Sequence, residues 1–205
     1  MSSDRAKKIK VVLFDVDGVL TDGSIWLFPA PALGPRSTDA HAEKHADKPG
    51  FAIISQNMIE AKGFNAHDGT AISLARLGGL KTGMVTKRIS ETVALRARDL
   101  KIDYLYQGAQ NKSDILDKIL AESGFREEQI AYVGDDVIDL PIMRRCGLAI
   151  AVANARPQVK AMAHYQTASV GGHGAGRDAV EYILEAQGTL EQVIDAYIHA
   201  RTSIG

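Results

Sequence analysis

Cysteine is almost missing from this chain. Cys146 stands alone among 205 residues, which excludes an internal disulfide and any fold stapled by cystines. It follows a predicted helix in an apolar setting and reads as a core thiol rather than a nucleophile. An excess of one charge is missing too. The 24 Lys and Arg against 25 Asp and Glu leave a net charge of −1, so no global field selects nucleic acid or an acidic membrane. No apolar run approaches the roughly 20 residues of a membrane span. Met1 to Lys10 is polar and basic and lacks the apolar centre of a secretory leader, so the expected location is the cytoplasm. What is present, 45% hydrophobic and 24% charged residues, suits an ordinary globular protein with one sizeable core. One domain over residues 1–205 is expected, with no internal repeat and no low-complexity tract.

The stretch Val11-Val12-Leu13-Phe14-Asp15-Val16-Asp17-Gly18 organises the rest. An apolar run that ends abruptly in two carboxylates and a glycine reads as a buried strand whose carboxyl end opens into a site. Asp15 and Asp17 are two apart, so in an extended chain they leave the same face. Two acids there repel by about 4 kcal/mol at 4 Å and an effective dielectric of 20, unless a cation or a reaction employs them.

Ser24 to Phe28 follows as a short aromatic strand. Pro29 to Gly50 is a proline-rich surface excursion. Its Asp39, His41, Glu43, His45 and Asp47 have some metal-ligand character, although loops of this kind usually just solvate such residues. Phe51 to Phe64 regains an apolar rhythm and is placed to pair with 24–28 as a projecting hairpin. Beyond it the pattern is regular. Helices are predicted over 68–77 (capped by Asp68), 90–100, 112–123, 138–145, just after Pro157, 177–186 and 190–197. Strands are predicted over 80–85, 104–106, 130–133 and 148–152. Alternating strands and helices indicate an α/β fold, a doubly wound, Rossmann-like parallel sheet covered on both sides.

Asp15 with Asp17, Thr86, and Asp135 with Asp136 all fall at the ends of predicted strands. Parallel strands bring those ends to one edge of the sheet, and Lys112 reaches the same edge from the start of its helix. Each residue alone has a bland reading: Asp135, Asp136 or Thr86 as a cap, Lys112 as a solvated charge. Together they suit phosphoryl transfer. Asp15 and Asp135 could share a Mg²⁺ ion. A carboxylate could attack phosphorus, with Thr86 and Lys112 holding the phosphoryl oxygens. Asp17, beside the nucleophile, suits the acid that protonates the departing alkoxide and later deprotonates water.

The stretch Asp15-Val16-Asp17-Gly18-Val19-Leu20-Thr21-Asp22-Gly23 resembles the first signature of the haloacid dehalogenase superfamily. Val85-Thr86, Lys112 and Gly134-Asp135-Asp136-Val137-Ile138-Asp139 match its later signatures. Phe64-Asn65-Ala66-His67-Asp68-Gly69, Tyr104-Leu105-Tyr106-Gln107-Gly108 and Gly171-Gly172-His173-Gly174 are similar to the 3-deoxy-D-manno-octulosonate 8-phosphate phosphatases within it. The similarity spans about residues 9 to 190 apart from the excursion. It implies a Mg²⁺-dependent phosphatase of phosphorylated sugar acids, serving lipopolysaccharide biosynthesis. It implies a homotetramer without a cap domain, in which a hairpin from one subunit and the C-terminal segment near the glycines help close a neighbour's site. By the same resemblance Asp15 is the nucleophile and Asp17 the general acid and base. Asp15, the Asp17 carbonyl and Asp135 are the metal ligands. Substrate is bound by Asp17, Asn65, Asp68, Gly69, Arg88, Arg96 and Lys112. His67, Ser73, Lys87 and His173 depart from the residues usual in that family, all in substrate-facing or closing parts. Three competing readings remain at this level. They are a related nine-carbon keto-sugar acid phosphate as substrate, a signalling receiver domain, and a non-catalytic assembly module.

Overall fold

Four consecutive residues with no exposed surface, Val11, Val12, Leu13 and Phe14, form the strand about which the sheet is arranged. The computed structural model describes residues 1–29, 51–52 and 58–202. The acidic and histidine residues of the excursion, Asp39 to Asp47, lie outside the described residues. A short helix, α1 (Ser2–Ala6), precedes β1 (Val11–Phe14). A tight turn over Val16–Leu20 leads to β2 (Trp26–Pro29). Then come β3 (Phe51–Ala52), β4 (Met58–Ala61), α2 (Ala66–Leu77), β5 (Lys81–Val85), β6 (Arg88–Ile89), α3 (Glu91–Asp99) and β7 (Tyr104–Tyr106). The second half holds α4 (Lys112–Ser123), β8 (Ile130–Gly134), α5 (Leu140–Met143), β9 (Leu148–Ala151), α6 (Pro157–Met162), β10 (Tyr165–Gln166), α7 (Ala175–Ala186) and α8 (Leu190–Thr202).

The main sheet has six strands in the order β10-β9-β8-β1-β5-β7, all parallel. From β1 the chain first builds outward through β5 and β7. It then returns to the other side of β1 for β8, β9 and β10. Such a reversal opens a crevice at the carboxyl ends of the strands. Strands β1, β8 and β9 are buried along their whole length, which explains their uninterrupted apolar sequence. Helices α1, α2, α7 and α8 pack together as one group and α4, α5 and α6 as another, so the sheet is covered on both faces. The doubly wound expectation holds.

Local chemistry sets the boundaries. Asn111 caps α4 by accepting from the Ser113 N–H, and Gly124, left-handed at φ 71°, ends it. In α2 the cap is Asn65, whose side chain accepts from the His67 N–H at 2.8 Å. The expectation that Asp68 caps this helix is therefore corrected. Both residues are good caps three positions apart, and the chain uses the earlier one. The helix expected over 138–145 is a single 3-10 turn at Val137–Asp139 followed by the short α5. Among the elements with no clear sequence signal, β6 and β10 are each two residues long. Another is α1, whose polar face hides a buried Ala6. The hairpin forms as expected: β2 pairs antiparallel with β4, Trp26 facing Ala61 and Phe28 facing Ile59. It projects with Trp26, Leu27, Phe28 and Ile59 exposed.

Candidate active site

Register places the acids. Phe14 lies beside Val133 of β8 and Met84 of β5. The next residues out are therefore Asp15 on the central strand, with Asp135 and Thr86 one step further on its two neighbours. The strands are about 4.8 Å apart, so these side chains must meet. The Asp15 N–H donates to the Val133 carbonyl at 3.0 Å, which extends the ladder by one rung and fixes its backbone.

Asp15 is buried. Its Oδ1 accepts from the Val16 N–H at 2.6 Å, and its Oδ2 lies 2.7 Å from Lys112 Nζ. Lys112 is buried as well, and its three protons have three partners: Asp15, Asp139 Oδ1 at 2.7 Å, and the Tyr132 hydroxyl oxygen at 2.9 Å. The Tyr132 hydroxyl in turn donates a hydrogen bond to Asp139 Oδ1 at 2.7 Å. Asp139 Oδ2 accepts from the N–H groups of Asp135 and Asp136. Burial raises the Asp15 carboxyl to about 8, against the pull of Lys112. Burial, reinforced by repulsion from Asp139 and Asp136, raises Asp135 to about 7. Burial alone would lower Lys112, yet Asp15 and Asp139 outweigh it and the ammonium is held above its ordinary value.

Oxygens of Asp15, Asp135 and Asp139 lie within 4.8 Å of one another. The three are not equivalent as ligands. Asp139 already accepts four hydrogen bonds, which fills a carboxylate. Asp135 Oδ1 is buried with no hydrogen-bond partner among the described residues. An orphaned acceptor of this kind is costly unless something positive meets it. Asp15 and Asp135 therefore fit a hard divalent cation, while Asp139 orients Lys112. Gly18 keeps the place open. It is left-handed at φ 89°, and a side chain there would strike the Asp135 carboxylate. Thr86 is buried beside this centre. Its hydroxyl accepts from the Arg88 N–H at 3.2 Å and keeps one proton to donate.

Asp17 lies at the rim. Its Oδ1 pairs with Lys62 Nζ, and its Oδ2 lies 3.8 Å from Arg88 Nε. Glu60 joins the same two cations, at 3.6 Å from Lys62 Nζ and 2.9 Å from Arg88 Nη2. The result is a closed ring of two acids and two bases. The partly buried Glu60 carboxyl would rise on desolvation alone, but Arg88, Ser90 and Lys62 hold it below its usual value.

A family model of haloacid dehalogenase-like hydrolases matches residues 85–177. The 3-deoxy-D-manno-octulosonate 8-phosphate phosphatase KdsC of Escherichia coli (strain K12) is 34% identical over 188 residues, covering 92% of this chain and 86% of the relative. This chain belongs to the 3-deoxy-D-manno-octulosonate 8-phosphate phosphatase family of haloacid dehalogenase-like hydrolases. Solved structures agree. The Moraxella catarrhalis 3-deoxy-D-manno-octulosonate 8-phosphate phosphatase, in complex with magnesium ion, phosphate ion and KDO, superposes with a TM-score of 0.79 at 30% identity over 96% of this chain and 97% of the other. A probable YrbI family phosphatase from Pseudomonas syringae gives a TM-score of 0.79 at 38% identity, over 96% and 97% of the two chains. Membership of a hydrolase family displaces the receiver-domain reading.

Of the remaining positions implied by the phosphatase family, Asn65, Asp68, Gly69 and Arg96 line one small cavity and Arg88 lies apart from it. Arg88 joins the ionic ring. Arg96 stacks its guanidinium 5.7 Å from the Phe64 ring centroid, and its buried Nε has no partner among the described residues. Gly69 gives Arg96 its room, since a side chain there would strike the guanidinium. Asn65 shares a small cavity with these residues but uses its carbonyl oxygen as the α2 cap. Asp68 is turned inward: it accepts from the Gly174 N–H at 3.3 Å and the Arg177 N–H at 3.0 Å, clamping the glycine-rich loop to α2. That loop lies on its own chain's site. The Gly172 N–H donates to the Val19 carbonyl at 2.8 Å, and a side chain at Gly171 would collide with the Gly18 carbonyl. The expectation that the C-terminal segment near these glycines helps close a neighbour's site is thus joined by a contact of the loop within the chain. Four polar residues escaped the sequence reading as site residues: Asp139, Tyr132, Glu60 and Lys62. Asp139 stood inside a recognised signature, and its spacing of four from Asp135 was the available signal. Nothing local marked the other three.

Proposed function

We propose that this chain is a Mg²⁺-dependent phosphomonoesterase that hydrolyses 3-deoxy-D-manno-octulosonate 8-phosphate through a phosphorylated Asp15. The observation that carries this reading is the meeting of Asp15 and Asp135 at adjacent strand ends, with one buried carboxylate oxygen unpartnered and a fully engaged ammonium alongside. Asp15, Asp135 and the Asp17 carbonyl would hold the cation, which when bound polarises the phosphoryl group and offsets the charge of the acids. Lys112, pinned by Asp139 and Tyr132, aims Asp15 and lowers the cost of ionising it. With the Thr86 hydroxyl it also steadies the phosphoryl oxygens in the transition state. Asp17 gives its proton to the departing alkoxide, then takes one from the water that attacks phosphorus and frees Asp15. Arg88 and Arg96 supply positive charge toward a substrate that carries both carboxylate and phosphate. The inward-turned Asp68 supports a loop-holding role in place of substrate contact.

The exposed apolar hairpin fits burial against other copies of the chain, in line with a homotetramer whose sites are completed by neighbours. A lone cysteine suits a reducing compartment, which supports action in the cytoplasm; no helix among the described residues is long and apolar enough to cross a membrane. Phosphate release from the eight-carbon ester, with Mg²⁺ and with chelator, tests the proposal. The expected result is rapid, metal-dependent turnover that exceeds turnover of the nine-carbon keto-sugar acid ester. Faster nine-carbon turnover would replace the substrate. No turnover of either ester would leave the assembly-module reading in its place.

A further inference from the structure

We propose that Lys62 is a positioning residue for Asp17: from the foot of the hairpin it holds that carboxylate in the orientation that protonates the leaving alkoxide. The inference rests on the phosphatase reading above. The Lys62 side chain has no exposed surface, and its ammonium pairs with Asp17 Oδ1 and more distantly with Glu60 Oε1. A buried ammonium is costly unless its partners are fixed, so the pairing fixes them in turn. Asp15 is locked by a backbone N–H and by burial. Among the described residues, the contacts to the Asp17 carboxylate come from side chains, those of Lys62 and Arg88. Its rotamer is thus set by residues 45 and more positions away. Glu60 braces both cations, and its own backbone carbonyl accepts from the Thr92 hydroxyl at 3.1 Å, which ties β4 to α3.

The chemistry sharpens the role. In the first step a bond forms from Asp15 to phosphorus while the bond from phosphorus to the ester oxygen breaks. The proton on Asp17 moves to that oxygen. In the second step water attacks phosphorus, the bond to Asp15 breaks, and Asp17 takes the proton from water. Only esters with a poor leaving group need the proton in the first step. A misplaced Asp17 therefore penalises an alkyl phosphate and spares an aryl phosphate whose leaving group is already stable as an anion.

The test compares kcat/KM for the sugar-acid 8-phosphate and for 4-nitrophenyl phosphate with saturating Mg²⁺, since kcat/KM reports the first irreversible step. Lys62→Met is expected to lose roughly 100-fold on the alkyl ester and less than about threefold on the aryl ester. Lys62→Arg is expected to restore the ratio of the two. Equal losses on both esters, or no loss on the alkyl ester, would overturn the assignment. If Lys62→Met lacks a cooperative thermal transition, Lys62→Gln set against Lys62→Arg decides by the same ratio: lowered in Gln and kept in Arg supports it, unchanged in both overturns it. A wild-type protein inert on both esters would instead sink the phosphatase reading itself.

Discussion

The transfer centre and the hairpin edge solve the same problem, holding charge in place, by opposite means. At the centre, Asp15 and Asp135 are carried on adjacent buried strands, and Lys112 is surrounded by three partners. Position there follows from sheet register. At the edge, Asp17, Glu60, Lys62 and Arg88 come from a turn, a projecting hairpin and a two-residue strand. Position there follows from the ion pairs themselves. The first arrangement is held by the backbone as well as by side-chain pairing. The second is a closed ring, in which each member is held by two others.

The largest effect should come from the centre. Asp15→Asn keeps shape and burial but removes the nucleophile, so turnover should fall by about 10⁴ or more while the protein folds normally. Circular dichroism and phosphate release on the same sample check this, and residual activity near the wild-type level would move the nucleophile elsewhere. The next effect is on pH. Asp15 at about 8 and Asp135 at about 7 sit above their unfolded values, so the folded, metal-free chain binds more protons than the unfolded one. The stability they contribute is present at low pH and is lost as pH rises through 7 to 8. Cation binding must expel those protons, so it strengthens over the same interval, by up to about tenfold per pH unit for each proton displaced. Melting curves with chelator should therefore drop from pH 5 to 8, and the rise on adding Mg²⁺ should be larger at pH 8 than at pH 6. A Mg²⁺ response independent of pH would remove the two acids from the ligand set. The smallest effect on the isolated fold should come from the outer hairpin. Trp26→Ser with Phe28→Ser should leave the thermal transition of the core within a few degrees, yet shift light scattering toward smaller species. An unchanged assembly would place the subunit contacts elsewhere.

Legibility divides along the same line. The six-strand sheet was readable because buried parallel strands are apolar throughout and end in turn signals; only β10, too short to show a pattern, escaped. Asp15, Thr86, Lys112 and Asp135 were readable because strand ends converge by rule. Lys62 and Glu60 were not, since a charged pair at the end of a short strand looks like any solvated hairpin, and the meaning of Lys62 depends on a partner 45 residues back. Tyr132 was hidden in a different way. In an apolar strand it reads as packing, and its hydroxyl gains significance only when Lys112 and Asp139 arrive beside it. Asp68 carried a plausible cap assignment that Asn65 had already taken.

The clamp between Asp68 and the glycine loop has a consequence for how the molecule is made. The residues that satisfy this carboxylate emerge from the ribosome 106 and 109 positions after it, behind both β8 and Asp135. A nascent chain that has completed α2 and β5 thus carries half a centre and an inward-facing acid awaiting its partners. The loop that lies across the turn at Gly18 is itself made only in the last third of the chain.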